Sequence, residues 1–86
     1  MSRTVHAAAV QFNIRLGEVE VNLATALAGL RQAAAAGARL AVLPEMWSSG
    51  YDYRRLGELA EATPRVLAAL CRASSDLRLT IVGSLA

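Results

Sequence analysis

Apolar side chains recur along this chain in two rhythms, and the switches between them mark out the elements. Residues 5–12, VHAAAVQF, are a short apolar run with β-branched and aromatic members, and the run predicts a strand. Turn chemistry follows at 13–17, closing on Gly17. From 19 to 36 the rhythm lengthens: Leu23, Leu27, Leu30 and Ala34 fall on one face of a helix. Glu18 and Glu20 stand at its start, where the helix dipole favours negative charge, and Arg31 lies toward its end. Gly37 is placed to stop it. Residues 39–43, RLAVL, predict a second strand, apolar on both faces and therefore expected to be covered on both sides. Pro44 has no N–H for a ladder and ends it. A loop, EMWSSGYDY, spans 45–53 and holds the single Trp and both Tyr, Tyr51 and Tyr53. A short helix is predicted over 54–62. Thr63-Pro64 then reads as N-cap and first turn of a helix running to about 74, with Val66, Leu67, Leu70 and Cys71 on its apolar side. Residues 79–82, LTIV, predict a third strand before Gly83-Ser84.

Strands alternating with helices imply an α/β fold with a parallel sheet and right-handed crossovers. Three strands leave open edges and no second layer, so the expectation is that residues 1–86 form the N-terminal portion of a larger, incomplete domain. No internal repeat is visible, and the alanine run at 33–36 is easily held by a helix.

Composition narrows the function classes. The chain is 55% hydrophobic and 19% charged, and 18 of its 86 residues are Ala. Helices faced with Ala are thin and bury little each, so such a core usually needs more chain or a partner surface. A net charge of +2 is spread evenly: residues 1–45 hold four Arg and three acids, residues 46–86 five Arg and four acids. Beyond Arg54-Arg55 there is no basic stripe, so no nucleic-acid partner is expected. No apolar run approaches the roughly 18 residues of a membrane helix, and no signal-peptide pattern is present, so no membrane partner is expected either. One cysteine, Cys71, rules out an internal disulfide and fits a cytoplasmic setting. It falls on an apolar helix face and is expected to be an inert buried thiol. All nine basic residues are Arg, with no Lys.

The candidate chemistry lies in Leu40-Ala41-Val42-Leu43-Pro44-Glu45. A buried strand delivers a carboxylate at its C-terminal end, and ligands of open α/β sheets bind beyond such ends. Glu45, partly desolvated beside Trp47 and Tyr51, suits a general base. Trp47 and Tyr51 either line a substrate pocket or pack on the end of the sheet. Taken alone, a Glu after a strand is usually plain surface. His6 has no acid or Cys at ligand spacing, and Asn22 is expected to bond backbone. There is no Cys–His metal spacing, phosphate loop or Gly-x-Ser-x-Gly elbow, so no metal or cofactor is expected. A nucleotide-binding domain is disfavoured because no Gly-rich turn follows the first strand.

An ordered set of segments resembles the start of the nitrilase superfamily, the carbon–nitrogen hydrolases. The segments are Ala9-Val10-Gln11, Gly17-Glu18, Asn22-Leu23, Ala33 to Gly37-Ala38, Leu40 to Glu45, Gly50-Tyr51 and Ile81-Val82-Gly83-Ser84. The stretch Pro44 to Tyr51 is most similar to the aliphatic amidase and omega-amidase side of that group. The resemblance implies an α-β-β-α sandwich and a Glu-Lys-Cys mechanism that converts an amide or nitrile to an acid plus ammonia or amine. Glu45 takes the glutamate's position. Cys71 does not match the nucleophile's position, and no Lys is present for the third role, so the 86 residues alone are expected to be inactive. The resemblance also implies a small-molecule amide or nitrile substrate and a homo-oligomer for the full-length protein. The alternative is a non-catalytic α/β interaction module, or a pseudogene product, built on the same start of the fold.

Overall fold

The computed structural model describes residues 4–52 and 54–85, Leu56 by its backbone alone. Tyr53, part of the expected loop, lies outside the described residues. Six elements follow in the order β1 (Ala7–Ala9), α1 (Val19–Ala35), β2 (Leu40–Val42), α2 (Leu56–Ala60), α3 (Thr63–Leu77) and β3 (Thr80–Val82). The sheet order is β1-β2-β3 and both pairs are parallel, with Ala8, Ala41 and Ile81 in register across it. This α/β succession is consistent with the N-terminal portion of a nitrilase-like fold.

Helix α1 closes one residue earlier than its periodicity predicts. Its end is a Schellman arrangement. Gly37, at φ +93°, lets its N–H reach the Ala34 carbonyl and the Ala38 N–H reach the Ala33 carbonyl, both at 3.0 Å. The buried stripe is Asn22, Leu23, Ala26, Leu30 and Ala33, rotated from the expected one so that Leu27 and Ala34 are only half-buried. Arg31 stands short of the last turn, which holds no basic residue. Small Ala26 and Ala33 lie on the buried face of α1, which packs against α3.

Helix α3 begins at Thr63, not after it: its N-cap is Ala62. The expected Thr63 cap does not form because α2 runs almost directly into α3. Glu61 and Ala62 between them keep helical dihedral angles, so the chain never adopts the extended geometry a capping Thr requires. Arg78 ends α3 in the left-handed region at φ +52°, and the Ser74 hydroxyl donates to the Leu79 carbonyl at 2.6 Å.

Helices α1 and α3 pack on each other over one face of the sheet. The core between them holds Leu23, Leu30, Ala41, Leu43, Trp47, Val66, Leu70 and Leu79. The other face is bare among the described residues: Val42 is 43% and Val82 51% exposed. The expectation that the second strand is covered on both sides is therefore corrected. Ala41 is buried beneath the helices, while its neighbours on the opposite face have no described layer above them. Cys71 is corrected as well. It is an exposed free thiol, and Leu67 is 50% exposed. Leu67 and Cys71 lie one step round α3 from the Val66–Leu70 stripe and, outside the core, line an open depression with Ile81 and Leu85.

No helix among the described residues is long and apolar enough to cross a membrane.

Candidate active site

The carboxyl ends of the three parallel strands form one rim, and Glu45 stands on it. The Leu43 N–H still pairs with the Val82 carbonyl at 2.8 Å, which continues the β2–β3 ladder one residue past β2. Pro44 breaks the ladder, and Glu45 follows as an exposed side chain. Among the described residues no hydrogen bond or ion pair engages its carboxylate. The desolvation expected for it beside Trp47 and Tyr51 is not supplied by these residues.

The loop that follows is the opposite. Trp47, Ser48, Ser49 and Gly50 are all buried, Trp47 completely. Met46 adopts φ +49°, a conformation that costs a non-glycine residue about 1–2 kcal/mol. It is held there from two sides. Its N–H donates to the Ser84 hydroxyl oxygen at 2.8 Å, and its carbonyl accepts the Gly50 N–H at 2.7 Å. The far end of the loop is tied to the entry of α1. The Asn22 side-chain amide donates to the Ser48 carbonyl at 2.7 Å and to the Arg15 carbonyl at 2.8 Å, while its oxygen accepts the Arg15 N–H at 2.9 Å. The Gly17 N–H donates to the Ser49 carbonyl at 2.8 Å. Asn22 thus bonds backbone, as its place at the start of α1 suggests.

Trp47 anchors the loop from below. Its indole lies against Gly83, where a Cβ would come within 3.2 Å of both Cδ1 and Nε1 and within 3.1 Å of the Leu43 Cβ. A side chain there would fit only if these neighbours gave way by a few tenths of an ångström. The indole Nε1–H has no partner among the described residues. Tyr51, toward the loop's end, is 47% exposed. The three residues singled out from sequence therefore share one loop in three different settings: Glu45 free on the rim, Trp47 in the core, Tyr51 half in solvent. An open depression of about 290 Å³ lies beside the start of this loop, lined by Ala9, Gln11, Phe12, Val42 and Pro44. His6, at the other end of the sheet, is exposed, and its backbone carbonyl accepts the Arg39 N–H at 2.8 Å.

Away from the rim, Arg55 pairs with Glu58, whose hydrogen bond and charge push the guanidinium above its ordinary value. Arg65 pairs with Glu20 across α3 and α1. Both pairs are exposed and add little to stability. No group of three or more His, Cys, Asp or Glu side chains able to hold a metal is present among the described residues.

Ser84 escapes sequence reasoning as a site residue. It lies 38 positions from Met46, and a Ser after a strand carries no signal of its own. The second reach of Asn22, to Ser48, is hidden in the same way.

The family model for carbon-nitrogen hydrolases matches residues 6–86. No curated protein matches, and no solved structure does. The match takes in all three strands, the helices packed on them and the loop that carries Glu45, and the chain belongs to the carbon–nitrogen hydrolase family of the nitrilase superfamily.

Proposed function

We propose that Glu45 is the general base and acid of an amide-hydrolysing enzyme of the aliphatic amidase or omega-amidase kind. The observation that carries the reading is one contrast: a carboxylate with no bond among the described residues stands on the strand-end rim, on a loop whose residues Trp47–Gly50 are buried and whose backbone is bonded. Such a group can take up and return a proton without breaking a structural contact.

In this reading Glu45 accepts the proton of a cysteine thiol as the sulfur attacks the substrate carbonyl carbon. A lysine ammonium stabilises the oxyanion of the tetrahedral adduct. Collapse of the adduct breaks the carbon–nitrogen bond, and Glu45 passes its proton to the departing ammonia or amine. Water then attacks the thioester, giving up a proton to Glu45, and the acid leaves as the thiol reforms. The chain contains no lysine, and Cys71 lies on α3, away from the Glu45 loop in sequence. In this reading the lysine and the nucleophile are supplied from outside these 86 residues. Tyr51 and, from beneath, Trp47 shape the substrate side of the site. The single free cysteine supports a cytoplasmic setting, and the full-length enzyme is a homo-oligomer acting on a small amide.

The test is Glu45→Gln in the polypeptide extended past Ala86, assayed on short aliphatic amides. Loss of about 10²-fold or more in kcat is expected, and near wild-type turnover would overturn the assignment. The 86 residues alone should hydrolyse no amide or nitrile, and measurable turnover by them would contradict the need for a separate lysine and nucleophile.

A further inference from the structure

The geometry points to Ser84 as a positioning residue for Glu45: its hydroxyl, at the end of β3, latches the backbone directly after the glutamate and so sets the direction in which the carboxylate leaves the rim. The inference rests on the reading of Glu45 as the proton-transfer group.

Three observations meet at this point. The Ser84 Oγ accepts the Met46 N–H at 2.8 Å, and that nitrogen belongs to the peptide unit whose carbonyl is Glu45's own. Met46 sits at φ +49°, a region a methionine leaves unless its surroundings hold it there. Its N–H needs an acceptor that β2 cannot supply, because the ladder has ended at Pro44. Next to Ser84, Gly83 receives the Trp47 ring so closely that an added Cβ would lie 3.2 Å from it. The dipeptide Gly83-Ser84 therefore grips the loop twice, by shape under Trp47 and by a hydrogen bond at Met46.

The two grips do different work. Trp47 fixes the depth of the loop. The Ser84 bond fixes the rotation of the Glu45–Met46 peptide plane, and the Glu45 side chain turns with it. Ser84 itself is exposed, so its hydroxyl contributes little to the core and leaves room for the added methyl of a threonine. Acid–base catalysis depends steeply on such placement, and a displacement of about 1 Å can lower turnover on the order of 10²-fold.

The experiment compares wild type, Ser84→Ala and Ser84→Thr. Hydrogen–deuterium exchange at the Met46 amide reads the latch without any need for turnover. Exchange about tenfold faster in Ser84→Ala is expected, from loss of one hydrogen bond, with wild-type protection in Ser84→Thr. In the extended polypeptide, Ser84→Ala should lower kcat for a short aliphatic amide by about 10- to 10²-fold and leave KM within about twofold, because the residue acts on the reacting group and not on substrate binding. Ser84→Thr should restore kcat. Unchanged Met46 exchange in Ser84→Ala would overturn the latch. Faster exchange with unchanged kcat would overturn the positioning role while leaving Glu45 in place, provided Glu45→Gln is dead. A Glu45→Gln variant that still turns over removes the reading of Glu45 and this role with it, whatever the exchange shows.

Discussion

Replacing Asn22 tests whether the loop after Glu45 is held by the entry of α1. The side chain is 1% exposed and makes three hydrogen bonds, two to Arg15 and one to the buried Ser48 carbonyl. Asn22→Ala removes all three. Arg15 is exposed, so water replaces its two bonds in part, at about 0.5–1 kcal/mol each. The Ser48 carbonyl is left stranded, at about 1–3 kcal/mol. A total of about 2–5 kcal/mol is a large share of the roughly 4–13 kcal/mol available to a chain of this length. Asn22→Asp is more telling. One carboxylate oxygen still accepts the Arg15 N–H, but the other would face the Arg15 and Ser48 carbonyls, to which the amide donates. That arrangement favours the neutral acid and raises the folded-state pKa of the new carboxyl above its unfolded value of about 3.9. The penalty is then fully present at neutral pH and shrinks as pH falls through the raised folded value, where the protonated acid can donate one of the two lost bonds. Urea unfolding followed by the fluorescence of Trp47, the chain's single tryptophan, measures the gap from wild type at each pH. The gap should narrow with acid for Asn22→Asp and stay flat for Asn22→Ala. An Asn22→Ala variant within about 0.5 kcal/mol of wild type, or an Asn22→Asp gap that widens in acid, would refute the reasoning.

Two further substitutions probe the same architecture. Gly83→Ala places a Cβ 3.1 Å from the Leu43 Cβ and 3.2 Å from the Trp47 ring; since Trp47 is fully enclosed, overpacking should lower stability by about 1–3 kcal/mol, and an unchanged melting temperature would show that the ring can retreat. Cys71, being exposed, should react with an aromatic disulfide reagent in the native chain, and Cys71→Ser should change stability by less than about 0.5 kcal/mol; a thiol that reacts only in denaturant would contradict its placement.

Helix α1 was legible in the sequence almost to the residue because period, acidic start and Gly37 all give the same answer. The strands were legible as elements but not in length. The apolar run at 5–12 continues past Ala9, yet β1 can pair only as far as β2 offers a ladder, and Pro44 cuts that short. An apolar strand does not say which of its faces is covered, so the bare side of β2 could not be read from RLAVL. Nor does an apolar helix face say which of its rows joins the core, and Cys71, which the apolar pattern places inside, is exposed. The place of Glu45 on the rim was legible because it follows from where β2 must stop. The residues that hold its loop were not, because Ser84 and Asn22 meet that loop across 38 and 26 positions of chain. Such contacts exist only once the sheet has assembled.

The Trp47 Nε1–H, without a partner among the described residues, shows which force holds the loop. A buried donor without a partner costs about 1–3 kcal/mol. Burying an indole removes about 150–250 Å² from water, worth about 4–6 kcal/mol, so packing wins even with the hydrogen bond forfeited. The remaining restraint comes from backbone groups: the Met46 N–H and the Met46, Ser48 and Ser49 carbonyls all have partners. None of these bonds uses the Glu45 carboxylate. A loop restrained by its own acid would have to break that restraint each time the acid took a proton. Here a ring beneath and a backbone mesh around the loop supply the rigidity, and under the proposed role the carboxylate keeps its lone pairs for chemistry at the rim. That separation of duties follows from the order Pro44-Glu45-Met46-Trp47, in which the strand-breaker, the free acid, the latched amide and the hydrophobic anchor come in direct succession.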